Sequence, residues 1–498
     1  MADASPLGSK YETIIGLEVH AQLLTKSKMY CGCSAAYASA APNTHVDPVC
    51  LGLPGVLPVI NRQAIEYTIM TGLALNCTIP PYTKFDRKNY PYPDLMKGYQ
   101  ISQYDAPLCL GGWLGIDVNG EPKRIGITRV HLEEDVAKLV HRTNALGESY
   151  SLVDVNRAGV PLMEIVSEPD MRSPEEARLY LVKLRAILQY LGVSTGNMEE
   201  GSFRCDANVS VRPRGTDVFL GKVEVKNMNS FRAVFRALSY EVERQIEIVD
   251  KGGTIPQETR GWVDDREVTV SQRSKEYAHD YRYFPEPDLP PLMPSREWVE
   301  GIRARLPELP EARRDRFMAE LGLSRYDADL LTAGKPFADY FEQALAASSI
   351  SPERRQERAK LTSNWMLGEL NRLLNDAGIE APQSRATPAH LSELLDLIQA
   401  GTISARTGKE VFAEMFASGA DARQIVEKRG LTQVSGTGEL ADIVARVLAD
   451  NPQAVADYQS GKEQALKFLV GQVMKETRGR ANPQVANTLI VEELKSRG

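Results

Sequence analysis

Acidic and imidazole side chains recur in this sequence at a spacing of two residues. In residues 129–135, Arg129, His131, Glu133 and Asp135 share one parity, and the apolar residues Val130 and Leu132 share the other. This period of two is typical of a β-strand with one apolar face. Acidic residues are poor strand formers, and Mg²⁺ prefers carboxylate oxygens as ligands, so a cation site would explain the pattern. A charged, solvated face of an antiparallel sheet would also explain this one segment.

Four further segments have the same character, and each offers acidic groups to one face of a strand. They carry Glu18 with His20, Glu164 alone in the apolar run 161–166, Asp206 in 206–212, and Glu224 in 224–226. An isolated charge such as Glu164 is costly to bury unless it is paired or bound to a metal. Five segments of this kind predict a sheet that lines a polar cavity.

Three cysteines near the N-terminus form a second candidate site. Cys31 and Cys33 are separated by one residue, and Cys50 follows after sixteen residues that include His45 and Asp47. Zn²⁺ prefers four tetrahedral ligands, so Asp47, His45 or water would have to complete the set. Because the usual C-x2-C spacing is absent, three free thiols are an equal alternative.

A segment rich in Lys, Arg and Tyr spans residues 84–103. Pro91 and Pro93 interrupt any regular element there, and Lys88 and Lys97 lie on either side of them. Such groups suit a polyanion such as ATP or an RNA end. A solvated loop whose tyrosines pack on the sheet fits the same residues equally well.

Composition places the chain among ordinary globular proteins, with 43% apolar and 25% charged residues. Its 498 residues predict about three domains. The net charge of −7 gives no global sign of nucleic-acid binding, so an RNA site would have to be a local patch. The six cysteines do not form a disulfide framework, and neither an export signal nor a membrane-spanning run is visible. We therefore expect a cytoplasmic protein that does not enter the membrane.

The elements that must position these groups change along the chain. Residues 1–292 have the alternation and the Gly and Pro turns of a strand-rich domain, and Ser173 begins a helix that should stop near Gly192. A stretch dense in proline ends this domain. Beyond it the periodicity is that of amphipathic helices, which we divide into a helical domain at 293–405 and a helical tail at 406–498. The predicted fold class is α+β.

The tail is locally basic. From Gly461 onward there are seven Lys or Arg and four Glu, a local net charge of +3. These groups could bind phosphates, although a solvated helix face is the default interpretation. Elsewhere, no G-x4-G-K-[ST] loop or dinucleotide-binding glycine motif follows a strand. If the protein uses ATP, it therefore uses a carboxylate-lined metal site on a sheet.

Several motifs together identify a family that the chain resembles. They are GLEVH (16–20), LPGVLP (53–58), FDRKNY (85–90), GITR with HLEED (126–135), EEG with RCDAN (199–208), KNMNSF (226–231) and DYRYFPEPD (280–288). With FLVGQ (468–472) and ANPQ (481–484), they span essentially the whole chain. In these motifs the sequence resembles the B subunit of the aspartyl/glutamyl-tRNA amidotransferase. The resemblance implies a mostly antiparallel cradle like that of glutamine synthetase, then a helical domain and a small tRNA-binding tail.

The resemblance also implies a reaction and partners. The family's B subunit uses ATP to phosphorylate the side-chain carboxylate of mischarged Glu-tRNA(Gln) or Asp-tRNA(Asn), and ammonia then displaces phosphate to give the amide. The sequence has no amidase-like stretch, so the ammonia is expected from an amidase A subunit in a complex that also contains a small C subunit. Two other classes remain open: a free-standing ligase acting on a small acid, and an RNA-binding scaffold without catalysis.

By matching motifs, the resemblance implies roles for individual residues. Metal and nucleotide positions fall on Glu18, His20, Glu134, Glu164, Asp206 and Glu224, with Mg²⁺ at His20, Glu134 and Glu164. Lys88 and Lys97 match basic positions near the ammonia path and are expected to contact the cofactor. Strand parity instead places Glu133 beside His131, and a β-bulge would reconcile the two. Many zinc-binding relatives have Cys where this chain has Asp47, which leaves zinc at Cys31, Cys33 and Cys50 open.

Overall fold

The chain folds into two compact units, Met1–Leu309 and Pro310–Gly498. The computed structural model describes residues 10–274, 281–348, 351–432, 437–477, 481 and 483–496. Strands lie in the first unit and helices in both, so the predicted α+β class is confirmed. Within the described ranges, no helix is long and apolar enough to cross a membrane.

The first unit is built mainly from strands. Its strands are β1 (Tyr11–Gln22), β2 (Asp86–Asn89), β3 (Tyr99–Ser102), β4 (Cys109–Leu110), β5 (Trp113–Val118), β6 (Glu121–Glu134), β7 (Lys138–Thr143), β8 (Ser149–Asp154), β9 (Pro161–Ser167), β10 (Phe203–Pro213), β11 (Val223–Lys226), β12 (Glu258–Val263), β13 (Val268–Ser274) and β14 (Phe284–Pro285). Its helices are α1 (Arg62–Ala74), α2 (Pro174–Leu191), α3 (Phe231–Asp250) and α4 (Arg296–Arg303).

Nine of these strands form one twisted sheet in the order β13-β12-β11-β10-β1-β9-β6-β4, with β5 paired to β6. Neighbours are antiparallel except for β11 and β12, which are parallel. A three-stranded sheet, β14-β2-β3, and the hairpin β7-β8 complete the unit. The antiparallel character expected of the first domain is therefore present.

One face of the large sheet is apolar because the central strands alternate. On β1, Leu17, Val19 and Ala21 are buried in a core to which helices α1, α2 and α3 also contribute. The intervening residues, Glu18 and His20, point to the opposite face. Helix α2 runs from Pro174, capped by Ser173, to a left-handed Gly192, as the sequence predicts.

The second unit is helical throughout its described residues. Its helices are α5 (Pro310–Leu321), α6 (Arg325–Thr332), α7 (Lys335–Ala346), α8 (Arg355–Trp365), α9 (Asn371–Ala377), α10 (Pro388–Gln399), α11 (Ala405–Ser418), α12 (Ala422–Arg429), α13 (Thr437–Asp450), α14 (Pro452–Gln459), α15 (Gln464–Glu476) and α16 (Pro483–Ser496). One apolar core joins α5 to α12, and a second joins α13 to α16.

Both divisions of the chain lie further toward the C-terminus than the boundaries predicted at 292 and 405. Helix α4 belongs to the first unit because Ile302 is buried in its core and Trp298 donates a hydrogen bond to Glu66, 3.2 Å away. Helices α11 and α12 share the core of the preceding helices through Phe412 and Ile425. The extent of each functional domain stays a prediction.

Candidate active site

The register of the large sheet aligns polar side chains in rows across its open face. His20 on β1 lies opposite Arg204 on β10 and Glu164 on β9, and Glu164 in turn lies opposite His131 on β6. In the next row, Glu18 lies between Asp206 and Val166. The segments singled out by their alternation are therefore neighbours in one sheet, as the sequence predicts.

These rows form the floor of a cavity of about 840 Å³. Its lining includes six acidic side chains, namely Glu18, Glu133, Asp135, Glu164, Asp206 and Glu224. Lys88 and His20 also line it, as do tyrosines that flank the strands of the small sheet. A volume of this size accommodates a substrate as large as a nucleotide.

His20, Glu133 and Glu164 form a compact ligand group at the centre of the cavity. One donor atom of each lies within 4.8 Å of the others. His20 Nε2 is 3.4 Å from Glu164 Oε2 and 4.0 Å from Glu133 Oε2. Ser102 donates a hydrogen bond of 2.7 Å to Glu133, which fixes that carboxylate. Two carboxylates and one imidazole suit a divalent cation such as Mg²⁺ or Mn²⁺.

His131 contacts both carboxylates of this group. Its Nε2 lies 3.5 Å from Glu133 Oε1 and 3.4 Å from Glu164 Oε2, and the ring is buried. Burial alone would lower the pKa of His131, but Glu164 and Glu133 raise it to about 9. Burial would raise the pKa of Glu133, but Lys88 and His131 lower it to about 2. The buried carboxylates are thus held ionised by cationic neighbours before any ligand enters.

Glu134, which the motif match favours, does not join this group. Its carboxylate accepts a hydrogen bond from the Ile101 backbone at 3.0 Å and contacts Lys97. Along the described pairing of β6 with β9, the register shifts between Ile127 and Arg129, upstream of the motif, so the parity of the following residues is unchanged. Strand parity therefore gives the right neighbour, Glu133.

Lys88 and Lys97 have different surroundings. Lys88 lies in the cavity, with its Nζ 5.0 Å from the ring centre of Tyr281 and 5.8 Å from that of Tyr90. Lys97 pairs with Glu134 and lies outside the residues that line the cavity. Of the two lysines expected to contact the cofactor, only Lys88 is placed to do so.

A second acidic group lies at the other end of the floor. Asn208 donates a hydrogen bond of 3.0 Å to Glu18, and Lys226 contacts both Asp206 and Glu224. Burial and the nearby charges of Glu164, Glu224 and Asp206 raise the pKa of Glu18. One lysine does not balance three carboxylates, so this end of the cavity attracts cations.

Tyrosines to which the sequence assigned no role form part of the cavity wall. Tyr104 and Tyr283 stack with ring centres 4.3 Å apart and an interplanar angle of 12°. Tyr281 and Tyr283 precede β14, which pairs with β2 and so carries them to the cavity. The motif at 280–288 is the available signal, but nothing in it predicts this pairing.

The cysteine group also forms. One donor atom each of Cys31, Cys33, Asp47 and Cys50 lies within 4.8 Å of the others. Asp47 accepts a hydrogen bond of 2.9 Å from the Cys50 backbone. A hydrogen bond from Cys31 lowers the pKa of Cys50 to about 6, although burial opposes the shift. Three sulfurs and one carboxylate fit tetrahedral Zn²⁺, and Asp47, rather than His45, is the fourth member of this group.

Comparison with known proteins places the chain in a family. Residues 13–300 match the family model described as the GatB/GatE catalytic domain. Residues 339–494 match the family model described as the GatB domain. The fold and the cavity define a two-unit protein, with a β-rich unit that holds a polar cavity and a helical unit. The chain belongs to the GatB/GatE family, which confirms the resemblance seen in its motifs.

The relatives are similar over nearly their whole length. The chain is 61% identical to the B subunit of the aspartyl/glutamyl-tRNA(Asn/Gln) amidotransferase of Dehalococcoides mccartyi (strain CBDB1), over 98% of this chain and 99% of that relative. It is 59% identical to the corresponding B subunit of Moorella thermoacetica, over 97% of this chain and 100% of that relative. These names describe one component of a multi-subunit enzyme of protein synthesis.

Proposed function

We propose that this chain is the ATP-dependent ligase subunit of a tRNA-dependent amidotransferase. It activates the side-chain carboxylate of Glu-tRNA(Gln) or Asp-tRNA(Asn), which ammonia then converts to the amide. The observation that carries the proposal is the convergence of His20, Glu133 and Glu164 in one cavity with Glu18, Asp206 and Glu224. Such a set binds the phosphates of a nucleotide through divalent cations.

The chemistry needs two displacements. A carboxylate is a poor electrophile, so its oxygen first attacks the γ-phosphorus of ATP, and the bond from that phosphorus to the ADP oxygen breaks. Ammonia then attacks the carbonyl carbon of the acyl phosphate, the carbon–oxygen bond breaks, and phosphate leaves with one proton from the nitrogen. Mg²⁺ held by His20, Glu133 and Glu164 would supply neutralising charge for the phosphates.

Other residues of the cavity orient the substrate, attract a second cation and limit the entry of water. Lys88 carries a positive charge beside the tyrosine wall and orients the substrate carboxylate. Glu18, Asp206 and Glu224 provide the second cation-attracting position. The walls contributed by Tyr90, Tyr281 and Tyr283 limit the entry of water, which would otherwise hydrolyse the acyl phosphate.

The wider proposal includes the partners and the fold likeness. An amidase A subunit supplies ammonia, a small C subunit completes the heterotrimer, and the first unit is related to the glutamine synthetase cradle. The complex acts in the cytoplasm. Two alternatives make different predictions: a free-standing ligase would act on a small acid without partners, and a non-catalytic scaffold would tolerate loss of Glu18 and Glu164.

The decisive experiment measures ADP formation by the purified complex. We expect ADP release only when Glu-tRNA(Gln) or Asp-tRNA(Asn) is present, and comparing the two charged tRNAs identifies the substrate. Uncharged tRNA and free glutamate serve as controls. ADP release with free glutamate by the isolated chain would favour the free-standing ligase instead.

The tail is proposed to bind tRNA. Lys467 and Lys475 lie on α15, Lys462 precedes it, and Arg478 and Arg480 fall outside the described residues. Removing the residues after Leu431 from the complex should weaken tRNA binding by on the order of tenfold or more and flatten its salt dependence. The first unit should keep its fold, because its core is separate. Unchanged tRNA affinity would contradict the assignment.

A further inference from the structure

Among the described residues, four Lys and Arg side chains line the cavity, and Arg129 differs from the other three. Arg204 pairs with Asp135 at 3.1 Å, Lys226 pairs with Asp206 and Glu224, and Lys88 lies against tyrosine rings. The side chain of Arg129 has no hydrogen bond or ion pair in the part of the chain that the structure describes, and its Nε is buried.

Arg129 is half-buried, and a buried Nε without an acceptor is unfavourable, since that N–H has lost water without gaining a partner. Six carboxylates of the described chain line the same cavity, yet none of them approaches Arg129 closely enough to form an ion pair. The unpaired positive charge of Arg129 in this cavity is available to bind an anionic ligand. Arg129 is therefore better suited to bind a ligand than to stabilise the fold.

The position of Arg129 in the sheet defines where that ligand would lie. Arg129 faces Val166, which in turn faces Glu18, so the guanidinium is in the row beside the one that holds His20, Glu164 and His131. Residues two apart on a strand are separated by about 7 Å. An anion bound by Arg129 would therefore lie next to the proposed metal group.

We infer that Arg129 binds the phosphoryl group that is transferred, first as the γ-phosphoryl of ATP and then as the phosphoryl of the acyl phosphate. This inference rests on the proposed function. The planar guanidinium offers two parallel N–H donors to phosphoryl oxygens. Negative charge on those oxygens redistributes as the phosphorus–oxygen bond to ADP breaks and the bond to the carboxylate forms, and a fixed cation stabilises that change. No proton needs to move in this step.

The test compares three variants of the full complex in tRNA-dependent ADP release. Arg129→Gln should lower kcat by on the order of 10²–10³-fold, as expected for loss of a phosphoryl-binding arginine. Arg129→Lys should recover part of the rate, because it restores the charge but not the two-pronged contact. Arg124→Gln is the matched control: Arg124 lies on the same strand but stacks on Trp113 outside the cavity, so its rate should not change.

Nucleotide binding distinguishes a phosphoryl contact from a general loss of structure. The Arg129→Gln complex should bind a non-hydrolysable ATP analogue on the order of tenfold more weakly and ADP with nearly unchanged affinity, since ADP lacks the γ-phosphoryl group. Inorganic phosphate added with ADP should bind the wild-type complex and not the variant. Equal weakening for ADP and the ATP analogue, or a normal kcat, would overturn the inference. Absence of tRNA-dependent ADP release from the wild-type complex would instead overturn the proposed function.

Discussion

The protein has two candidate metal groups that are built in different ways. His20, Glu133 and Glu164 lie on three adjacent strands, and the sheet register sets their spacing. The cysteine group lies on the irregular segment between β1 and α1, where local hydrogen bonds such as that from Cys50 N to Asp47 hold it. A sheet defines positions by a repeating geometry, whereas a loop defines them one contact at a time.

This difference extends to the chemistry of the two groups. In the strand group, imidazoles hold carboxylates ionised, and the pKa of His131 rises to about 9 because Glu164 and Glu133 outweigh its burial. In the loop group a thiolate is favoured, since the bond from Cys31 lowers the pKa of Cys50 to about 6. The first group suits a hard cation and the second a softer one.

The largest expected effect tests the strand group. Glu164→Gln keeps the shape of the side chain but removes the charge that a cation needs. We expect tRNA-dependent ADP release to fall by on the order of 10³-fold. Assembly with the partner subunits, tRNA binding and glutamine hydrolysis by the partner should persist. ADP release and amide formation should be assayed separately on the purified complex, and near-normal rates of both would return Glu164 to a structural role, paired with His20 and His131.

A matched pair of variants tests the parity of β6. Glu133→Gln should lower ADP release by on the order of 10²-fold, because Glu133 faces His20 in the cavity. Glu134→Gln should lower the rate less than about tenfold but destabilise the fold by roughly 1–3 kcal/mol, since it leaves Lys97 without its partner. Thermal unfolding and ADP release together separate the two effects. The opposite ranking of the two rates would restore the assignment based on motif matching.

The side-chain period of a strand is independent of the fold around it, so it places residues on one face correctly even where a motif match selects a different residue. The alternation of 129–135 identifies Glu133, whereas the motif match favours Glu134, which faces away. Arg129 belongs to the same alternation, but its lack of a partner among the described residues is a property of the folded cavity. The tyrosine wall is unpredictable for a similar reason, since Phe284 of β14 pairs with Arg87 of β2, which lies far earlier in the chain.

The loop group is only partly predictable. Spacing identifies Cys31, Cys33 and Cys50, but it leaves Asp47, His45 and water as candidates for the fourth position. Loop backbone has no period from which to choose between them. The turn formed by Asp47 and Cys50 brings Asp47 into the cysteine group, and this turn exists only in the folded chain. Packing of this kind is also invisible in the sequence at α4, which joins the first core through Ile302 although it follows the prolines.

The loop group should bind zinc weakly, with partial occupancy as purified. Three thiolates and a carboxylate hold Zn²⁺ less firmly than four thiolates, so a chelator should remove the metal. Asp47→Cys should raise occupancy toward one zinc per chain and resist the chelator, whereas His45→Ala should leave the zinc content unchanged. Elemental analysis measures both. Stoichiometric, chelator-resistant zinc in the wild-type protein would show that the group binds zinc more tightly than expected. If no zinc is found and all three thiols can be titrated, the three cysteines are free.

The smallest effect concerns the charge of His131 in protein freed of metal. The unfolded side chain has a pKa of about 6.5. Because the folded pKa is raised to about 9, its contribution to stability is complete below pH 6.5 and disappears as the pH rises through 9. With chelator present, the wild-type unfolding temperature should therefore fall more steeply between pH 6.5 and 9 than that of His131→Gln. Parallel pH profiles for the two proteins would mean that His131 is neutral in the folded state, and that Lys88 alone keeps Glu133 ionised.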